Sequence, residues 1–157
     1  ARSRGIAAPR IGIEPGRSIV AEAGTSLYRV ASVKRQGAHR FAIVDGGIAD
    51  NPRPALYGAY HEPYLAGRRS SAPDEEFVVC GRSCENDRLV VAPLPGDLAP
   101  GDLVGLRTTG AYTYSMASNY NRFPKPAVAF ASSGRHELAV RRERDEDVLR
   151  NDIDVDR

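Results

Sequence analysis

A chain of 157 residues, 41% hydrophobic and 27% charged, has the length of one domain with a real core and the composition of an ordinary soluble protein. Its net charge of +2 is small, and the 22 basic residues, of which only Lys34 and Lys125 are lysines, are scattered along the chain, so a nucleic-acid surface is not expected. No apolar stretch approaches the ~20 residues that span a membrane, and Ala1-Arg2-Ser3-Arg4-Gly5 leads into no signal-like apolar core.

In chain order, residues 1–10 read as the tail of a helix or a loop, and Ile11-Gly12-Ile13-Glu14 predicts a short buried strand ending at Pro15-Gly16. So early a strand suits a chain cut inside a βα repeat. Residues 18–23 are helix-compatible and close at Gly24. Residues 26–34 alternate apolar and polar positions and predict a strand; Gln36-Gly37-Ala38 is a turn. Residues 40–45 read as a strand of the buried kind, ended by Gly46-Gly47. Residues 52–60 allow one or two helical turns, with Pro54 acceptable in the first.

The polar run 67–75 reads as a loop and as the segment most prone to disorder. Strands follow over 76–81 and 88–92, then two successive turns at Pro95-Gly96-Asp97 and Pro100-Gly101-Asp102. Residues 103–107, 112–116 and 127–130 continue the strand pattern, 135–142 form a last strand, and 145–151 a short helix. Short strands at regular intervals between Gly/Pro turns predict a closed or sandwiched antiparallel β domain. Cys80 and Cys84 are too few for a disulfide framework and badly spaced for zinc, which points to a reducing cytoplasm. His39, His61 and His136 fall into no ligand cluster and read as surface or core-edge residues, so no metal is expected.

Separated groups of residues carry the chemistry. They are Glu14-Pro15-Gly16-Arg17; Asp45-Gly46-Gly47 with Asn51-Pro52-Arg53-Pro54-Ala55-Leu56-Tyr57; Cys84-Glu85; and Gly110-Ala111-Tyr112 with Ser115 and Ser118-Asn119-Tyr120-Asn121. In this order and spacing they resemble the C-terminal part of the diaminopimelate decarboxylase family, pyridoxal 5'-phosphate (PLP) enzymes of bacterial lysine synthesis with an alanine-racemase-like fold. The resemblance covers residues 11–150. It implies a mainly β fold, with residues 25–152 as the C-terminal antiparallel β-barrel or sandwich domain. Residues 1–24 would be the truncated end of a (β/α) TIM-type barrel, bringing its last strand region. It further implies PLP as cofactor, meso-diaminopimelate as substrate, lysine and CO2 as products, and a cytoplasmic homodimer with shared active sites.

The same resemblance distributes roles. Glu14, Gly16 and Tyr112 would face the cofactor; a glycine at 16 lets the backbone N–H approach a phosphate closely. Arg17 offers a planar fork of donors for a carboxylate or phosphate. Arg53 and Tyr57, on one face if their segment is helical, fit the far carboxylate of the substrate. Glu85 would pair with a substrate ammonium, and Cys84 would stand near the reacting carbon as a candidate proton donor, both reaching into the partner's site. Asp45-Gly46-Gly47 reads as turn geometry and packing.

The lysine that anchors PLP belongs to an early barrel strand. Neither Lys34, in a predicted strand, nor Lys125, between two prolines, matches it, so the chain by itself is expected to be inactive. A same-fold decarboxylase for ornithine or arginine and a non-catalytic β-domain interaction module are the competing readings. Arg53 and the Cys84-Glu85 pair favour a substrate with a second carboxylate. Apolar surface around Ile11 and Ile13 predicts self-association or aggregation of the isolated chain.

Overall fold

The alternation in the sequence builds one curled sheet. The computed structural model describes residues 4–5, 10–84 and 87–153. The strands of the main sheet are β1 (Thr25–Gln36), β2 (His39–Val44), β3 (Pro63–Ala66), β4 (Asp74–Cys80), β5 (Arg88–Pro95) and β6 (Leu103–Arg107). Their order is β3-β6-β1-β2-β4-β5, and the terminal strands β3 and β5 pack against each other, so the sheet nearly closes into a barrel. Strand β1 holds the two halves together: Thr25–Arg29 pair with β6, and Val30 and residues 32–36 pair with β2, with an irregular step between Val30 and Ser32.

Every neighbouring pair is antiparallel except β2 and β4, which run parallel from Arg40↔Phe77 to Ile43↔Cys80. The expected all-antiparallel domain is thus mixed. The chain leaves β2, crosses the molecule through residues 45–73 and re-enters beside β2 in the same direction. Alternate side chains point inward, among them Tyr28, Val30, Ala42, Val44, Phe77, Val79, Leu94, Val104 and Leu106. An irregularity between Val79 and Cys80 breaks the alternation, and both Leu89 and Val90 of β5 are buried there.

Outside the barrel lie three short helices, α1 (Arg17–Val20), α2 (Arg53–Tyr57) and α3 (Asp145–Leu149), and a separate hairpin of β7 (Val128–Ser132) and β8 (Arg135–Val140). Ser133 and Gly134 turn that hairpin with positive φ values of 51° and 74°, as a tight two-residue turn requires.

Several expectations fail for physical reasons. Ile11 and Ile13 are each 82% exposed, and residues 10–16 have no regular structure: no described strand pairs with them, so the apolar run is extended but unburied. Residues 112–116 are turns and a 3₁₀ turn (Tyr114–Met116) rather than a strand, because Thr108 and Tyr112 take left-handed φ values of 61° and 56°. The run 67–75 is ordered and its end belongs to β4. Arg68 bonds Asp102 (2.7 Å) and Asp97 (3.1 Å), pinning this segment to the paired Pro-Gly-Asp turns. Strand β3 carries no signal in the sequence because it is only four residues long and begins at a proline.

Candidate active site

The site begins with two glycines. Gly110 N–H donates to Ala21 O at 2.9 Å and Thr109 N–H to Gly24 O at 3.0 Å, which docks residues 17–24 on the loop after β6. A Cβ on Gly24 would lie 2.2 Å from Gly110 Cα, and one on Gly110 would lie 2.0 Å from Val20 O, so only glycine permits this approach. The docking brings the turn before α1 to Tyr112: a Cβ on Gly16 would sit 2.6 Å from Tyr112 Oη. The phenol hydroxyl therefore lies where a side chain at position 16 would be.

Arg53 opens α2. Asn51 N–H donates to Gly47 O at 2.9 Å, Asn51 Oδ1 accepts from Arg53 N–H at 3.4 Å, and Gly58 closes the helix at φ 61°. Pro52 and Pro54 flank the arginine, and Pro54 suits the first turn. The Arg53 guanidinium carbon lies 5.3 Å from the Tyr57 ring centroid and 5.8 Å from that of Tyr112. Two aromatic faces thus steady the cation without consuming its N–H donors. Among the described residues no ion pair engages Arg53 or Arg17.

Beneath Arg53 lie polar atoms with nothing to bond. Arg53 Nε, Asn51 Nδ2 and His61 Nε2 are buried and have no hydrogen-bond partner among the described residues. His61 is 1% exposed, and its Nδ1 lies 3.1 Å from Arg107 O; because a carbonyl only accepts, Nδ1 carries the hydrogen and Nε2 is a bare acceptor. Burial lowers the His61 pKa against the opposing pull of the Arg107 carbonyl, and the positive fields of Arg17 and Arg53 lower it further. The surplus of donors suits an anion, and the glycine cradle against Tyr112 suits a phosphate, so these residues fit PLP together with a carboxylate-bearing substrate.

Of the residues singled out from sequence, the structure gathers Gly16, Arg53, Tyr57 and Tyr112, with Arg17 coupled to the same cluster through its field on His61. Glu14 stands exposed just upstream. Cys84 is exposed on the loop between β4 and β5, and Glu85 lies outside the described residues. Cys80 and Cys84 form no disulfide. Among the described residues no group of His, Cys, Asp and Glu is arranged to hold a metal.

His61 corrects the expectation of a surface or core-edge histidine, for it is fully buried beside the arginines. It sits in no repeating or ligand-spaced pattern, so only its burial reveals it, whereas Asn51 belongs to the group that runs to Tyr57. A second concavity, about 170 Å³, is lined by the 45–50 turn, Arg82, Asp87, Phe123 and Arg142. There, burial raises the Asp50 pKa to about 6.

A family model described as pyridoxal-dependent decarboxylase, C-terminal sheet domain, matches residues 18–110. The diaminopimelate decarboxylase of Bacillus subtilis (strain 168) is 46% identical over 148 residues, covering 92% of this chain and 34% of its own length. That of Actinosynnema pretiosum subsp. auranticum is 45% identical over 155 residues, covering 96% of this chain and 34% of its own. A crystal structure of diaminopimelate decarboxylase from M. jannaschii in co-complex with L-lysine superimposes with a TM-score of 0.84 at 33% identity, covering 90% of this chain and 32% of that one. The chain spans about a third of the length of the curated relatives it matches.

Proposed function

We propose, because the chain belongs to the pyridoxal-dependent decarboxylase family as its C-terminal sheet domain, that it completes the active site of a decarboxylase that converts meso-diaminopimelate to L-lysine and CO2. The observation that carries this reading is Arg53, held between Tyr57 and Tyr112 with no described carboxylate to neutralise it. A diamino acid with a second carboxylate supplies the missing anion, whereas ornithine and arginine do not. L-lysine, bound in the M. jannaschii relative, is what remains of diaminopimelate once CO2 is lost.

In this reading residues 1–24 are the end of a (β/α) barrel that binds PLP, and residues 25–152 are the β domain that closes the site. Ile11 and Ile13, exposed here, are the apolar surface that such a barrel would cover. Bound PLP supplies an electron sink for the bond to CO2. The residues of this chain hold and aim. Gly16 and Tyr112 offer a backbone N–H and a hydroxyl to the phosphate, with Glu14 beside them. Arg53 and Tyr57 bind the distal carboxylate, and Arg17 adds positive charge to the same region. Cys84 delivers a proton to the reacting carbon and Glu85 accepts the distal ammonium, each from across a homodimer interface.

Neither lysine anchors the cofactor: Lys34 lies in β1 opposite Phe41, and Lys125 bonds Glu143 through its backbone. The chain alone is therefore inactive. No helix among the described residues is long and apolar enough to cross a membrane, and the reading places the enzyme in the cytoplasm.

The test is CO2 release by the native-length protein with added PLP, from meso-diaminopimelate and in parallel from L-ornithine and L-arginine. Release from diaminopimelate alone is expected, with R53A lowering kcat/KM about 100-fold, the size of a lost charge-assisted contact. Activity on ornithine or arginine instead would move the substrate, and silence on all three would favour a non-catalytic interaction module.

A further inference from the structure

Gly47, in the turn after β2, and Gly81, in the loop after β4, make room for one carboxylate. A Cβ on Gly47 would lie 2.2 Å from Asp87 Oδ1, and one on Gly81 would lie 2.2 Å from Asp87 Oδ2 and 2.4 Å from Gly46 O. Asp87, 7% exposed, fills the space between those two loops. Its Oδ1 accepts the Ile48 N–H, and its Oδ2 accepts Ser83 N–H at 3.0 Å and Ser83 Oγ–H at 2.7 Å. Its carbonyl accepts Gly81 N–H at 2.8 Å. Among the described residues no ion pair engages Asp87, and the contacts its carboxylate makes are to N–H and O–H dipoles. All of these contacts act on the two ends of one loop. Gly81 and Ser83 precede Cys84, and Asp87 follows it.

We propose that Asp87 is a positioning residue that sets the place of the Cys84 thiol by lashing its loop to the 45–48 turn. The proposal rests on the reading that Cys84 takes part in the decarboxylation. Asparagine at 87 would keep the size but replace one acceptor by an NH2. Whichever way that amide turned, a donor would meet a donor, either Ile48 N–H or the N–H and O–H of Ser83. Ser83→Ala removes one of the same bonds without changing any charge, and it leaves the buried carboxylate its two N–H partners.

The test uses the native-length holoenzyme carrying D87N, S83A, C84A and the doubles D87N/C84A and S83A/C84A. It measures kcat and KM for meso-diaminopimelate, and the rate at which iodoacetamide alkylates Cys84, followed peptide by peptide by mass spectrometry. C84A is expected to lower kcat by about 100-fold or more, as loss of a proton donor does. D87N is expected to lower kcat at least about tenfold and S83A about threefold with little change in KM, and neither to lower it further in the C84A background. Both single variants should alkylate several-fold faster.

Equal losses with and without Cys84 would mean that Asp87 merely supports the fold, and would overturn the proposal. If D87N does not fold, the S83A pair decides. If C84A leaves kcat unchanged, the role given to Cys84 falls. The alkylation rate then judges positioning by itself, and an unchanged rate in both D87N and S83A overturns it.

Discussion

Gly110→Ala would drive a methyl group into the carbonyl oxygen of Val20, 2.0 Å from the ideal Cβ position. The other close atoms, Gly24 N at 2.9 Å and Val20 C at 3.0 Å, are backbone as well, and none can swing aside as a side chain would. The 17–24 segment must instead retreat from the loop after β6. A retreat of about 1 Å breaks the 2.9 Å bond from Gly110 to Ala21 and stretches the 3.0 Å bond from Thr109 to Gly24 beyond use. Overpacking of this kind costs about 1–3 kcal/mol and each lost backbone bond about 1 kcal/mol. The docking should therefore weaken by roughly 3 kcal/mol, about a hundredfold in its opening equilibrium. Hydrogen exchange on the native-length protein reads this locally, as faster exchange at Thr109 and Gly110. Because Gly16 and Tyr112 sit on the two sides of this joint, kcat/KM should also fall at least about tenfold. Gly12→Ala is the control, since a Cβ there meets nothing within 4 Å. Exchange and kcat/KM in G110A equal to those of G12A would refute the steric argument.

Phe77 is 0% exposed and lies beneath the Arg40 guanidinium at 4.4 Å, so Phe77→Ala should destabilise the barrel by about 3–5 kcal/mol in urea unfolding. Arg68→Ala should leave the barrel folded but speed proteolysis and hydrogen exchange in residues 67–73, because Arg68 links them to both Asp97 and Asp102 and only the bonds of Ser70 to Asp97 and of Gly96 to Pro73 would remain among those described; unchanged protection would refute that role. Burial raises Asp50 to about 6, so the folded state holds its proton more tightly than the unfolded chain does. That contribution is fully present below the ordinary carboxylate pKa and is lost as pH rises towards 6. Asp50→Asn should flatten stability between pH 4 and pH 7 by about 2 kcal/mol, and parallel unfolding profiles for the two proteins would exclude the effect.

Where one face of a strand is buried, the sequence declares it. Tyr28 and Val30 alternate with exposed Leu27 and Arg29 in β1, and in β4 Phe77 and Val79 are buried while Val78 and Cys80, between and after them, are half-buried, so the apolar runs mark those strands without coordinates. What alternation cannot state is the partner. The parallel pairing of β2 with β4 depends on a crossover through residues 45–73, and no local pattern specifies its direction. Composition also misleads where it is decoupled from pairing. Ile11-Gly12-Ile13 looks like a buried strand but has no neighbour among the described residues, and Tyr112 to Met116 looks β-forming but is bent by left-handed backbone at Tyr112. Residues 67–73 look disordered because their order comes from Asp97 and Asp102, far along the chain. The site divides in the same way. The four-residue step from Arg53 to Tyr57 is local and legible, while the contact of Tyr112 with Gly16 and the burial of His61 arise only from the fold.

The buried atoms around Arg53 bear on whether this surface binds a ligand or merely a partner protein. Leaving a buried donor or acceptor unbonded costs about 1–3 kcal/mol, and Arg53 Nε, Asn51 Nδ2 and His61 Nε2 all stand in that condition. An interaction module gains nothing from them, since apolar side chains of similar size would support α2 and β3 at lower cost. The imbalance also has a sign. Arg17, Arg53 and the Asn51 NH2 group can only donate, the Tyr112 hydroxyl can donate as well, and among the described residues His61 Nε2 is the one orphaned acceptor. A polar ligand rich in acceptors and bearing negative charge satisfies most of this set at once. An amino acid with a free carboxylate, or a phosphate beside Gly16, has that character; an apolar or cationic partner surface would leave the half-buried arginines unanswered.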